Sequence, residues 1–511
     1  MSFGSGINLP EVFVSFLWVV LAYTVLSAFY NLYLHPLSRF PGPKRWQSSQ
    51  FFLFKASVEG VLEESIKEFH EKYGPVVRYS PNNLSFTSPT AWKDIYGFHD
   101  NAPIKDPSFY GIIHLSRDRS HSIFTVGQEG HPRVRKALSY AFSERALREQ
   151  EPFVNRYVGL LMQRLSELAA SATPTDLVQW YNFTTFDIIG DLAIGQSFNC
   201  LRGSKYHEWV HGFWNTIKLG TFVRAMATCT HVAFLQLLRL LAPASLKASR
   251  RRHLEFVGRN TEERLAQGIL RGKPDFISFL LKSNSSLKSG QEPLSAGEVE
   301  ANTNFLLLAG TETTATGLSG TTYYLLKNRD ALRKATEEVR GAFEREDDIT
   351  FAATAERLPY VQACIAEGLR IYPPGPIAPP RRTNKGTVTI IAGHAVPGDV
   401  SVGVHMWSAS HSAENFHRAD EFIPERWLEA TQESSPFHGD KLAASQPFSF
   451  GPRNCLGRPF AYNEMRVILA RVLWNFDLEL LPESDGWEKQ KVYTLWDKGP
   501  LMVRLIPRTG R

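Results

Sequence analysis

Phe448, Gly451, Cys455 and Gly457 fall in the pattern Phe-x-x-Gly-x-x-x-Cys-x-Gly and carry the strongest chemical signal in the chain. Cys455 follows a Gly-Pro turn and sits just before an apolar-rich run over residues 458–475 that reads as a helix. A cysteine at a helix start meets unpaired backbone N–H groups and the positive end of the dipole, which together favour the thiolate. Gly451 and Gly457 have no Cβ, so backbone there can turn tightly and approach a flat cofactor closely. A thiolate beneath a planar surface is what an axial haem ligand requires. The bland alternative for a lone cysteine is a buried structural thiol, and it is the full spacing that argues against it.

A second signal lies in a helix expected over 295–327, opened by a Ser295/Glu298 capping box. Its middle reads Ala309-Gly310-Thr311-Glu312-Thr313-Thr314-Ala315-Thr316-Gly317. Those glycines and threonines are poor helix formers and together cost about 2–4 kcal/mol relative to alanine. A local rule broken inside an otherwise strong helix is expected at a functional site. Small residues would let a haem approach, and Glu312 and Thr313 offer an acid beside a hydroxyl. The plain alternative has the threonines bonding back to the preceding turn and Glu312 solvated.

Glu367 and Arg370, three apart, share one face of a helix that ends at Pro373 and Pro374. Arg426, in Pro424-Glu425-Arg426-Trp427, could join them in a buried triad that would be costly to break; as an isolated surface pair they would matter little. Haem propionates need cationic or hydrogen-bonding partners. Arg135 with His131 four residues earlier, Arg453, and Arg381 beside Arg382 are the candidates, each otherwise an ordinary surface residue.

The elements that must hold these groups are mostly helical. Apolar residues recur at three- and four-residue steps over 61–73, 132–148, 152–170, 251–270, 332–345 and 360–372. Short strand-like pieces lie at 76–79, 84–87, 388–391, 400–404 and 501–505, and they do not alternate with helices as βαβ units would. The expected fold class is mainly α with small sheets. No Gly-x-Gly-x-x-Gly follows a strand, so electrons for any redox step come from another protein.

The 511-residue chain is 43% hydrophobic and 21% charged, with room for a large core. Its net charge of +6 is spread without a Lys/Arg block, which excludes nucleic acid as the expected partner. None of the four cysteines is in C-x-x-C spacing, so neither a disulfide framework nor a zinc site is indicated, and the compartment reads as reducing.

Residues 12–34 carry no charge and, as a helix of about 35 Å, suffice to cross a bilayer core of about 30 Å. The run is too long for a signal-peptide core and meets no small-residue cleavage site. Arg39, Lys44 and Arg45 follow it and Glu11 precedes it, so the large C-terminal part is expected to face the cytoplasm, in a eukaryote from the endoplasmic reticulum. Asn-x-Ser/Thr sites at Asn83, Asn182 and Asn284 are then incidental. Pro36, Pro41, Gly42 and Pro43 read as a stiff hinge. The expected organisation is an anchor over 1–34, a Pro-rich hinge over 35–45 and one catalytic domain over 46–511, with a Ser-rich polar stretch at 283–293 as the nearest thing to a linker.

The cysteine loop resembles the haem-binding loop of the cytochromes P-450. The 309–313 segment resembles that family's oxygen-activating helix, and Glu367, Arg370 and Arg426 fall in its order. Trp427 stands where the family usually has Phe, and His131 where it commonly has Trp. The resemblance covers about residues 30 to 508, and the stretches near 31–44 and 491–496 look like fungal members that tailor secondary metabolites.

The resemblance implies a P-450 fold around haem b, with the Cys455 thiolate on the iron and Phe448, Gly451 and Gly457 against the ring. Arg135, Arg453, Arg381 and His131 would hold propionates, and Glu367, Arg370 and Arg426 would support the haem face. Glu312 and Thr313, with water, would deliver protons during oxygen activation. The implied partners are O2, NADPH–cytochrome P-450 reductase docking on the cysteine side, membrane lipid and a bulky apolar substrate such as a terpenoid, polyketide or alkaloid. Residues 106–124, 201–246, 377–378 and the turn near Leu495 would line the pocket. The rival readings are a thiolate-haem isomerase or dehydratase working without O2, and a non-catalytic haem sensor.

Overall fold

A single long helix, Ala296–Lys327, organises the interior of the computed structural model, which describes residues 9–111, 113–229, 244–269, 273–285 and 292–508. Its start is fixed as expected: the Glu298 amide donates to Ser295 Oγ at 3.2 Å and the Ser295 amide to Glu298 Oε2 at 2.9 Å. Along one side lies Leu177–Ile194, in which every residue except Gln179 is buried. Such a helix has no polar stripe, which is why apolar periodicity gave no sign of it. Pro359–Ile371 and Arg458–Asn475 pack on the other sides, and the four helices share one continuous apolar core.

Most expected helices recur with ends shifted by up to three residues; the one expected over 251–270 runs Ala244–Ala266, residue 270 lying outside the described residues, and one further expectation is corrected. A break was expected between 148 and 152, at Pro152. The chain instead runs His131–Ser139, a short 3-10 turn at Tyr140–Phe142, then an unbroken helix Glu144–Ala170. Ser143 caps that helix by accepting from the Ala146 amide at 3.3 Å, whereas Pro152 removes only one N–H donor inside it.

The small sheets sit at the edge. One has the order Val76–Ser80, Asn83–Phe86, Ser401–Val404, Arg381–Arg382, Ile104–Lys105, and another joins Phe476–Leu480 to Met502–Pro507. In the first, Lys105 lies directly across from Arg381. The sequence pattern missed both His394–Pro397 and Phe476–Leu480.

Residues Pro10–Leu34 form a helical run of mean hydropathy 2.2, unburied throughout, that is long and apolar enough to cross a membrane. The Pro-rich segment after it is fastened down. Leu37 and Phe40 are buried, the Arg78 amide donates to Pro41 O at 2.8 Å, and the Arg78 guanidinium donates to Asn31 O at 2.8 Å.

Candidate active site

Cys455 lies three residues before the first residue of the helix Arg458–Asn475, and the amides of Gly457 and Arg458 donate to its sulphur. Its own amide donates back to Phe448 O at 2.8 Å, closing the loop. Phe448 packs on Tyr462 with ring centroids 5.2 Å apart. Gly451 has φ +75°, and a Cβ there would stand 2.0 Å from Tyr96 O, so only glycine fits. Gly457 has an ordinary φ of −80°; its missing Cβ would meet nothing closer than Phe142 at 3.7 Å and the Cys455 sulphur at 3.9 Å. The two glycines therefore serve different ends: the first a turn against protein, the second an open surface beside the thiol.

Opposed effects act on the Cys455 thiol. Burial pushes the Cys455 thiol up and outweighs the downward pull of the two amides, Arg135 and Arg458. A cation bound at the sulphur would reverse that balance. By surface area the Cys455 side chain is nonetheless exposed.

Near the Cys455 loop stands a set of basic side chains that lower one another's pKa. His131 is pulled down to about 3 by burial, then by Arg453, Lys105, Arg135 and Arg381. Lys105 is pulled down to about 6 by burial and by Arg453 and Arg381, and Arg453 to about 10 by burial and Arg381. Among the described residues no carboxylate pairs with Lys105, Arg135, Arg381 or Arg453. The ambiguity between neighbours is resolved: Arg382 grips Asp106 with two bonds of 3.0 Å, while the Arg381 side chain is buried and its Nη1 has no hydrogen-bond partner. Arg135 is more engaged than expected, donating to Asn454 O at 2.8 Å and Asn454 Oδ1 at 2.6 Å. The buried Arg381, with Nη1 unpartnered and the half-buried Arg453 beside it, fits an anionic ligand such as a propionate. Sequence reasoning missed Lys105, whose two-residue strand carries no periodic signal.

The triad is assembled and wholly buried. Arg370 donates to both Glu367 oxygens at 2.8 Å and Arg426 Nε donates to Glu367 Oε1 at 3.0 Å. Trp427 Nε1 adds a bond of 2.8 Å to Oε2, which accounts for the departure from Phe. Burial pulls the Glu367 carboxyl up, but Arg370, Arg426 and the Ile423 amide outweigh it and hold the group below the usual carboxylate range. Asp440, bonded to Arg426, completes the charge balance and had no sequence signal.

The cytochrome P-450 family model matches residues 41–503. This chain belongs to the cytochrome P-450 family. A trichothecene C-4 hydroxylase of Trichoderma arundinaceum is 44% identical over 494 residues, covering 96% of each chain. A cytochrome P-450 monooxygenase of Penicillium canescens is 41% identical, covering 96% of this chain and 97% of its own. An averantin hydroxylase of Dothistroma septosporum is 40% identical, covering 97% and 92%. The protein is accordingly an oxidoreductase of the monooxygenase type, and the family implies a haem-thiolate cofactor, a redox partner, O2 and a small-molecule substrate.

On the long helix of this P-450, Phe305, Ala309 and Thr313 lie at four-residue steps, on one face, and are half-buried. Thr313 Oγ1 donates to Ala309 O at 2.5 Å, the back-bonding that the plain alternative described. Glu312 is fully buried off that face, paired with Lys498 and accepting from Thr316 Oγ1 at 3.2 Å. Gly310 allows close helix packing: a Cβ there would lie 2.6 Å from the Ile189 side chain. Of the expected pocket segments, 106–124 brings an aromatic cluster to this face, with Phe124 stacked on Phe305 at 5.0 Å. Ile377 and Ala378 are half-buried, and the 201–246 segment lies partly outside the described residues.

Proposed function

We propose that this chain is a membrane-anchored monooxygenase that oxidises a bulky, largely apolar small molecule in fungal secondary metabolism, taking electrons from NADPH through NADPH–cytochrome P-450 reductase. The observation that carries the reading is the cation group of Lys105, His131, Arg135, Arg381 and Arg453 beside the Cys455 loop. Haem b bound there, with Cys455 on its iron, would supply an oxidant able to attack an unactivated C–H bond. Arg381 and Arg453 would hold its propionates, while Lys105, whose Nζ donates to the carbonyls of Ile123, Phe124 and Val126 at 3.1, 2.6 and 3.1 Å, would fasten the segment beside them and His131, neutral, would offer a hydrogen bond. Gly457 leaves the ring room beside the sulphur, and the buried triad keeps the loop's supporting segment in place. Thr313 holds a proton at the pocket face, and Glu312 stands behind it as the acid of the helix. The anchor puts the catalytic domain on the cytoplasmic face of the endoplasmic reticulum, within reach of the reductase and of lipid-dissolved substrate.

The test is to compare metabolites of cells with and without the chain under isotopically labelled O2. One labelled oxygen in a product, relative to a precursor that accumulates without the chain, is the expected result. An unlabelled product isomeric with its precursor would favour a rearrangement instead.

A further inference from the structure

Arg224, on the helix Glu208–Cys229, is half-buried, and loss of solvent around its guanidinium pulls it down to about 10. Its hydrogen-bond partners are neutral hydroxyls: it donates to Thr221 Oγ1 at 3.1 Å and to Thr494 Oγ1. Its Cζ stands 4.5 Å from the centre of the Phe109 ring. Among the described residues no carboxylate pairs with it. Glu63, the one acid whose charge reaches it, is engaged by His405 at 2.6 Å. Tyr110, next to Phe109, stands between Arg224 and the basic residues near Cys455: Lys105 Nζ and Arg381 Cζ lie 5.4 and 5.8 Å from the centre of the Tyr110 ring. A half-buried guanidinium whose hydrogen-bond partners are only hydroxyls can still take an anion.

Its position says which anion. Phe109 packs on Phe124 at 6.4 Å, and Phe124 stacks on Phe305. Phe305 lies on the helix face that carries Ala309 and Thr313. An aromatic wall therefore runs from Arg224 to the face where oxidation takes place. Thr494 holds its place in the left-handed region at φ +76°, in the turn between Val492–Tyr493 and Leu495–Trp496, and there its hydroxyl meets Arg224. Strain of this kind in a non-glycine residue persists where surroundings over-determine it, and it clusters at ligand clamps.

We propose that Arg224 is a specificity-determining residue that binds an anionic oxygen of the substrate, a carboxylate or an equally acidic enol or phenol. The apolar body of the substrate then lies along Phe109, Phe124 and Phe305, with the carbon to be oxidised near Thr313. The inference rests on the monooxygenase reading and narrows its substrate class: bulky and apolar, with one charged end.

The test uses the full-length, haem-loaded protein and reads ligand binding through the shift of the haem absorption band. The probes are biphenyl-4-carboxylic acid and abietic acid, each beside its methyl ester. At least one acid is expected to bind about tenfold or more tightly than its ester, as a charged hydrogen bond warrants. R224Q should bring that ratio to about one while leaving ester binding unchanged, and R224K should keep part of it. Should R224Q fail to hold haem, R224K and Thr494→Val carry the test, and each must narrow the ratio. Equal or absent binding of acids and esters by the wild type overturns the proposal, as does a preference that survives R224Q. If the wild type gives no thiolate-type carbon monoxide spectrum, the monooxygenase reading itself falls. With that spectrum intact and no acid preference, only this inference falls.

Discussion

Lys498, in the C-terminal segment, and Glu312, in the middle of the long helix, form an ion pair with both side chains buried. Lys498 Nζ also donates to Thr316 Oγ1 at 2.6 Å, one helical turn beyond Glu312. Glu312 is thus clamped from outside the helix, whereas its neighbour Thr313 is half-buried on the face it shares with Phe305 and Ala309. Glu312 Oε2 is buried and has no hydrogen-bond partner among the described residues.

The two neighbours should fail differently. Removing one partner of a buried pair leaves an uncompensated charge, so Lys498→Met is expected to cost about 3–5 kcal/mol in denaturant unfolding. The double variant Glu312→Gln/Lys498→Met should recover much of that loss. Thr313→Ala should keep its stability within about 1 kcal/mol but consume NADPH without matching product. Tight coupling in Thr313→Ala would remove Thr313 from proton handling.

Gly451→Ala and Gly457→Ala separate the two uses of glycine in the cysteine loop. The first meets Tyr96 O at 2.0 Å and a φ of +75°, so it should destabilise the domain by at least about 1–3 kcal/mol. The second meets only ordinary contacts and should leave the protein's own melting midpoint unchanged while lowering haem content. Equal melting losses in both variants would contradict this division.

Trp427→Phe restores the commoner family residue but deletes the indole donor to Glu367 Oε2. That oxygen still accepts from Arg370 at 2.8 Å, so the loss should be about 1–2 kcal/mol with haem retained. Arg370→Leu, which strips two bonds from a buried carboxylate, should leave little haem-loaded protein. Calorimetry and the haem-to-protein absorbance ratio check both.

Glu464, on Arg458–Asn475, is buried, and burial pushes its carboxyl up to about 8 against a bond from Thr314. The folded protein keeps this proton at pH values where the unfolded chain has released it. Stability from this group is therefore full below about pH 4.5 and falls as pH rises towards 8, by at most about 1.4 kcal/mol per pH unit. Glu464→Gln should flatten the fall in unfolding free energy between pH 5 and 8. An unchanged slope would mean that the carboxyl is ionised in the fold.

Much of this was legible in the sequence where residue type and spacing alone fix the chemistry. The capping box at Ser295, the triad of Glu367, Arg370 and Arg426, and the Cys455 loop appear where their motifs place them. What escaped depends on tertiary neighbours. Leu177–Ile194 has no polar face to mark it, Lys105 gains meaning only by lying across from Arg381, and Asp440 and Lys498 find their partners through folding. The net direction of the Cys455 thiol likewise depends on burial that the helix start could not reveal.

The most direct test of the account is the carbon monoxide spectrum of the reduced, full-length protein beside that of Cys455→His. The account predicts the strongly red-shifted band of thiolate-bound haem in the wild type, replaced in the variant by the band of histidine-bound haem or by loss of haem. A Cys455→His protein that keeps the thiolate band would place the iron ligand elsewhere and contradict the assignment of Cys455.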